Sequence, residues 1–137
     1  MSTTLNPMDF AIRFFNGQDE LQGSLRPELL APAYRAEIMG FPPMDAAGHG
    51  EFGRAFYNAF PDLYHSIDET QVTDNGIAVR FTLRGTHTAP FMGIPASNRA
   101  IAVSAIALLT IVNGQVTHLH AIFDQLGMMR QLGVVPS

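Results

Sequence analysis

The residue types best suited to chemistry lie close together near the end of the chain: His118, His120 and Asp124, within Gln115-Val-Thr-His-Leu-His-Ala-Ile-Phe-Asp124. Side chains of a strand repeat every second residue, so this spacing directs all three to one side of a sheet. A His-x-His strand beside a carboxylate could hold a divalent metal, with His87 from another strand as a further ligand. The chain has no cysteine and no Glu-rich partner for such a set, so no metal is expected. In an apolar pocket the same groups serve general acid–base catalysis, because desolvation moves their pKa values toward neutrality. Asp68 and His87 join these candidates, since both fall on the apolar side of their strands, His87 if its strand continues unbent; the alternative for Asp68 is a strand-end aspartate reaching water. A Ser–His–Asp nucleophile is not expected: Ser104 falls on the face opposite the histidines, and no nucleophile-elbow motif occurs. The remaining alternative is binding without catalysis, which needs only an apolar cavity and a few orienting polar groups.

The elements that must position these residues are readable in outline. Asn113-Gly114 is a type I′ hairpin signal. Closing the turn there pairs Leu109 with His118, Ala107 with His120 and Val103 with Asp124. Asn75-Gly76 repeats the signal and pairs Val72 with Val79, Thr70 with Phe81 and Asp68 with Leu83. Arg99 to Val112 is apolar on both faces and is expected to be covered on both, by core on one and by a helix, pocket or second subunit on the other. Thr88 to Asn98, with its prolines and glycine, reads as a long loop whose underside carries Phe91, Met92 and Ile94.

Toward the N-terminus, Asn6 caps a helix that carries Pro7 in its first turn and an apolar stripe of Phe10, Ala11, Phe14 and Phe15. A short helix around Pro27, spanning Ser24 to Leu30, precedes a first strand, Ala33 to Met39. Asp45 caps a helix from Ala46 to Phe60 whose Phe52, Phe56 and Phe60 share a face. His49, near the start of that helix, is expected at the surface, with the mouth of a pocket as the alternative. Gln125 to Leu132 forms a closing helix with Asp124 placed to cap it, a competing role for that carboxylate. Gly133 provides the left-handed stop and Pro136 follows.

Composition excludes several classes. The 137 residues fit a single domain, 1–137, and 47% hydrophobic against 15% charged residues marks a globular chain. The net charge is −4, with eight arginines scattered along the chain and no lysine, so nucleic-acid binding has no electrostatic footprint. No apolar run is long enough for a membrane span, and Met1 to Pro7 lacks the layout of a secretory signal. A cytoplasmic location without membrane attachment is the expectation.

Several short motifs occur together and in order: Ala59-Phe-Pro-Asp-Leu63, Gly85-Thr-His-Thr88, Phe91-Met-Gly-Ile-Pro95, Asn113-Gly114, and Phe123-Asp-Gln-Leu-Gly127 with Gln131-Leu-Gly133. From about Pro7 to Pro136 the chain resembles the SnoaL-like polyketide cyclases of the nuclear transport factor 2-like superfamily. The resemblance implies an α+β fold, a strongly curved antiparallel sheet forming a cone around N-terminal helices (a cystatin-like α+β barrel). It implies a homodimer through the sheet and a hydrophobic, polyketide-like small molecule in the cone. It also implies cofactor-independent cyclase or isomerase chemistry, an intramolecular aldol step in the cyclases.

On that basis Asp124 or Asp68 moves a proton, while His120 and His87 orient or polarise a carbonyl. His118, Phe14, Phe56, Phe91, Phe123 and Leu109 line the pocket. Family members often carry Glu at the His118 position and Trp at His120, whereas this chain has no tryptophan. Two alignments one residue apart place either Asp124 or Phe123 at the cyclase acid. The second also puts an apolar residue, near Leu109, at the cyclase histidine. The same fold would equally serve a non-catalytic dimeric small-molecule-binding protein.

Overall fold

Asn6 opens the first helix by accepting a hydrogen bond from the Asp9 amide at 3.0 Å, as its cap role requires. The structure is a computed structural model and describes residues 6–135. The helix runs as α1 (Pro7–Ala11), a π-helical stretch (Ile12–Asn16) and α2 (Gly17–Glu20). The wider π turn rotates the residues that follow, so Gln18 is buried together with Phe14 and Phe15. A 3₁₀ turn (Pro27–Leu29) leads into β1 (Leu30–Ile38). Asp45 then caps α3 (Ala46–Ala59), accepting from the Gly48 amide at 2.8 Å. The remaining elements are β2 (Tyr64–Thr73), β3 (Gly76–Thr86), β4 (Ala100–Val112), β5 (Gln115–Phe123) and α4 (Gln125–Leu132).

The five strands form one sheet in the order β1-β5-β4-β3-β2. β2 to β5 make an antiparallel meander, whereas edge strand β1 runs parallel to β5, so the sheet is mixed. Parallel neighbours need a long connection, and here α3 and the whole meander supply it. Pro32 is tolerated because β1 is an edge, and the β1–β5 register shifts between Leu30 and Arg35. The helices pack on the inner face of the sheet over Ile77, Val79, Phe81, Val103, Ala107 and Leu109, all buried.

Both hairpins differ in register from the sequence expectation, for identifiable reasons. The first turn lies at Asp74–Asn75, so Val72 faces Ile77 and Thr70 faces Val79. An irregularity between Ile67 and Glu69 then pairs Ile67 with Phe81 and His65 with Leu83. Asp68 sits at this bulge and is exposed, accepting from the Thr82 hydroxyl at 2.7 Å. The inner position opposite Leu83 belongs to His65.

The second hairpin has the expected type I′ turn, with φ 52° at Asn113 and 76° at Gly114. A bulge at Thr117 then shifts the ladder by one residue, pairing Thr110 with His118 and Leu108 with His120. A one-residue slip exchanges the faces of a strand. Leu119, Ala121 and Phe123 therefore turn inward, and His118 and His120 turn outward.

β4 alternates strictly between buried and exposed residues, leaving Ile106 49% and Leu108 50% exposed. No helix among the described residues covers its outer face, where a helix, a pocket or a second subunit was expected. The loop from Thr88 to Asn98 forms as expected with Phe91 buried, but Met92, expected on its underside, is exposed. Asp124 caps α4 by accepting from the Gly127 amide at 2.8 Å, and Gly133 stops it at φ 82°. Pro136 lies outside the described residues.

The two hairpin glycines serve different ends. Gly76 is a strand residue, and a Cβ there would fall 1.9 Å from the Leu109 carbonyl oxygen. Gly114 has open space and needs only its positive φ. Gly76→Ala is expected to lower the unfolding free energy by about 3 kcal/mol or more, because backbone rather than side chain must yield. Gly114→Ala should cost about 1 kcal/mol. Urea denaturation of both variants checks the order, and equal losses would contradict it.

Candidate active site

The inner face of the sheet and the helices enclose a cavity of about 70 Å³. Its walls are largely apolar, with Phe15, Phe56, Phe81, Leu119 and Phe123 among them, and its polar side chains are Gln18, His49, Tyr57 and His65. Two histidines in an apolar enclosure need partners, and both have them.

His65 lies between Phe15 and Phe81, with ring centroids 5.1 Å from each. Its Nδ1 is 2.7 Å from Oδ1 of Asp19, which also accepts from the Tyr57 hydroxyl. The other oxygen, Oδ2, accepts from the His65 amide at 2.9 Å and from Asn16 Nδ2 at 2.8 Å. Burial pushes the Asp19 pKa up. The hydrogen bonds and charge of His65, with the bond from Tyr57, outweigh it and hold the carboxyl below its ordinary value. Burial, with the neighbouring Asp19, pushes the Tyr57 pKa up, so this hydroxyl remains a donor. An ionised Asp19 fixes the proton of His65 on Nδ1 and leaves Nε2 as the basic nitrogen.

His49 is buried rather than at the surface, 5% exposed, with Nδ1 2.9 Å from the Tyr34 hydroxyl. Desolvation, reinforced by the charge His65 can carry, pushes its pKa down to about 4. The Tyr34 pKa is raised by burial. A neutral His49 that accepts from Tyr34 at Nδ1 keeps its proton on Nε2, as a hydrogen-bond donor.

The residues singled out from the sequence are divided among three places. Phe56 and Phe123 line the cavity. Phe14, Phe91 and Leu109 are buried in the core around it without lining it. His87 is fully buried below the loop it precedes, stacked on Phe60, with Nδ1 accepting from the Ser97 amide at 3.1 Å. It too is absent from the cavity wall. Asp68 and Asp124 are exposed, as described above.

His118 and His120 stand on the outer face with Glu37 of β1. The Nε2 atoms lie 2.5 Å and 2.8 Å from Oε2 of that carboxylate. The three donor atoms are within 4.8 Å of one another, which makes this cluster, rather than one containing His87, able to hold a metal.

Asp19, His65 and Tyr57 were not among the residues singled out, and His49 was expected at the surface or at a pocket mouth, yet the pattern held a trace of Asp19 and His65. Phe15 and Asp19 are four apart on one helix, and so share its apolar face. Leu63, His65 and Ile67 alternate in the strand after Pro61, which puts the histidine on the inward side.

The model of the SnoaL-like polyketide cyclases matches residues 8–132. The chain belongs to the SnoaL-like polyketide cyclase family. No curated protein is a significant match. Among solved structures it is similar to AclR of Streptomyces galilaeus, described as a candidate hydroxylase, at 18% identity and TM-score 0.83, covering 94% of this chain and 96% of that one. It is also similar to IdmH of Streptomyces antibioticus, described as a candidate polyketide cyclase, at 23% identity and TM-score 0.82, covering 94% and 99%. A SnoaL-like polyketide cyclase from Agrobacterium tumefaciens matches at 15% identity and TM-score 0.74, covering 95% and 100%. At these identities the likeness establishes the shared fold. In this SnoaL-like chain, Phe123 and not Asp124 is the residue facing the cavity. No helix among the described residues is long and apolar enough to cross a membrane.

The buried His49 sets a pH dependence of stability. Its folded pKa of about 4 lies below the ordinary 6.5, so below 6.5 the unfolded chain binds a proton that the folded chain refuses. The contribution is fully present above pH 6.5 and is lost as pH falls toward 4. The loss is on the order of 3 kcal/mol. Urea titrations at several pH values should show this decline, flattened in His49→Gln. An equal slope in the variant would remove His49 as its source.

Proposed function

We propose that this SnoaL-like chain is a cofactor-independent acid–base enzyme acting on a hydrophobic, carbonyl-bearing small molecule held in the cone. Chemistry of the cyclase or isomerase type starts by removing a proton beside a carbonyl. In this reading His65 Nε2 takes that proton, Asp19 stabilises the imidazolium that results, and His49 Nε2–H donates to the developing enolate oxygen. For an aldol closure the enolate carbon then forms a bond to a second carbonyl carbon. The new alkoxide recovers the proton from His65, so the reaction is an isomerisation with no co-reactant. The observation that carries the reading is the 2.7 Å contact of Asp19 with His65, a histidine in a largely apolar cavity wall.

The cavity, about 70 Å³, is small beside the ~300 Å³ or more of ordinary ligand pockets. A ring-sized substrate therefore requires movement of the wall. Phe41 does not line the cavity, but it backs two side chains that do, and its displacement would free them. It packs at 4.8 Å on Phe52 and at 6.2 Å on Phe123, and it stands on a loop between Gly40, at φ 95°, and two prolines. A second reading, binding without turnover, draws support from Phe123 occupying a cavity position where an acid would serve catalysis. A homodimer belongs to both readings: Ile106, Leu108 and Ile122 each expose about half their surface on the outer sheet face, and sedimentation equilibrium would give the oligomeric state.

Exchange of α-protons of an aryl β-diketone in D2O, followed by NMR, separates the readings. His65→Ala and Asp19→Asn should each slow exchange by about 10²–10⁴-fold, while Asp124→Asn and Asp68→Asn leave it unchanged. Saturable binding without exchange favours the binding protein, and full exchange in His65→Ala would remove His65 as the base.

A further inference from the structure

The outer face of the sheet holds a second group of chemically competent side chains that the cavity does not use. Glu37 and His120 are paired across the β1–β5 ladder, and His118 lies two residues earlier on the same face. The two imidazole rings stack, with centroids 4.2 Å apart and 8° between planes, and both direct Nε2 at one carboxylate oxygen. Beside them is a groove of about 460 Å³ floored by Ile106, Leu108 and Ile122 and walled by Met39 and Phe41.

We propose that Glu37, His118 and His120 bind one divalent transition-metal ion, of the class of Zn²⁺, Co²⁺ or Ni²⁺. Two imidazoles and one carboxylate are the donors that borderline ions select, whereas Mg²⁺ and Ca²⁺ take oxygen ligands. The donors already converge on a common point from adjacent, hydrogen-bonded strands. Around an ion with bonds of ~2.0–2.2 Å, tetrahedral donors sit roughly 3.3–3.5 Å apart. The present separations of 2.5 Å and 2.8 Å must open by less than about an ångström. Glu37 can supply that movement, because its side chain is 43% exposed.

As a plain surface ion pair this cluster would contribute little to stability. As a metal site it ties the edge strand β1 to β5. Three protein ligands leave a coordination position open, and the neighbouring groove offers an apolar bed to whatever donor fills it. His87, the further ligand that the sequence offered for such a set, takes no part. Glu37, 81 residues before His118, takes its place.

The test uses full-length protein without a histidine tag. Titration with Zn²⁺ should give one ion per chain and raise Tm, and Co²⁺ should give visible absorption typical of mixed nitrogen and oxygen ligation. His118→Ala, His120→Ala and Glu37→Gln alter partly exposed side chains and should keep the wild-type circular dichroism. Each should weaken Zn²⁺ binding by more than ~10-fold, and the double histidine variant should abolish both the Tm shift and the Co²⁺ spectrum. Absence of stoichiometric binding, undiminished binding in the double variant, or equal binding of Mg²⁺ would overturn the proposal. None of these readouts depends on turnover.

Discussion

The alternation of side chains along a strand is the constraint on which this molecule depends, because one extra residue exchanges everything a strand shows to its two sides. The sheet contains such an insertion in β2, near Asp68, and another in β5, at Thr117. The first places His65 over the cavity and leaves Asp68 to solvent. The second turns Leu119, Ala121 and Phe123 inward and sends His118 and His120 out. Without the bulge in β5, His118 and His120 would face the core, where buried imidazoles need partners. The bulges are thus what reconciles a hydrophobic cone with a polar set of strands.

Within the cone one carboxylate carries the polar organisation. Asp19 is approached by the Tyr57 hydroxyl from α3, by the ring and amide of His65 from β2, and by Asn16 from the preceding turn of its own helix. A buried charge is costly unless nearly every lone pair is used, and here four donors use them. The same bonds pin two helices to the sheet edge and set the tautomer of His65. Removing Asp19 would therefore disturb position and basicity together, which is why a conservative Asn is the informative replacement. His49 is handled oppositely: it has a neutral partner in Tyr34, and burial keeps it uncharged.

Local features were legible in the sequence because their causes are local. The Asn6, Asp45 and Asp124 caps, the Asn113-Gly114 turn and the Thr88–Asn98 loop each follow from a few neighbouring residues. Register was not legible. Asn75-Gly76 carries the same dipeptide as Asn113-Gly114, yet its glycine answers a close approach of the Leu109 carbonyl rather than a turn. Nothing adjacent to it reveals that contact. The pairs Asp19–His65 and Glu37–His118, 46 and 81 residues apart, exist only once the sheet order is set. Asp124 shows the two kinds of cause in competition: its cap role is local and holds, while a role in the cavity depended on a register the bulge displaced.

β5 is the element through which the inner and outer faces meet. Leu119, Ala121 and Phe123 line the cavity, and His118, His120 and Ile122 alternate with them toward the outer groove. Phe41 touches both regions, packing against Phe123 on one side and walling the groove on the other. A ligand or ion on the outer face would therefore act on a strand whose opposite side is the wall of the cavity. A displacement of Phe41 that widens the cone must also reshape the groove. Any coupling between the two would pass through side chains one residue apart on the same strand, the shortest path a sheet offers.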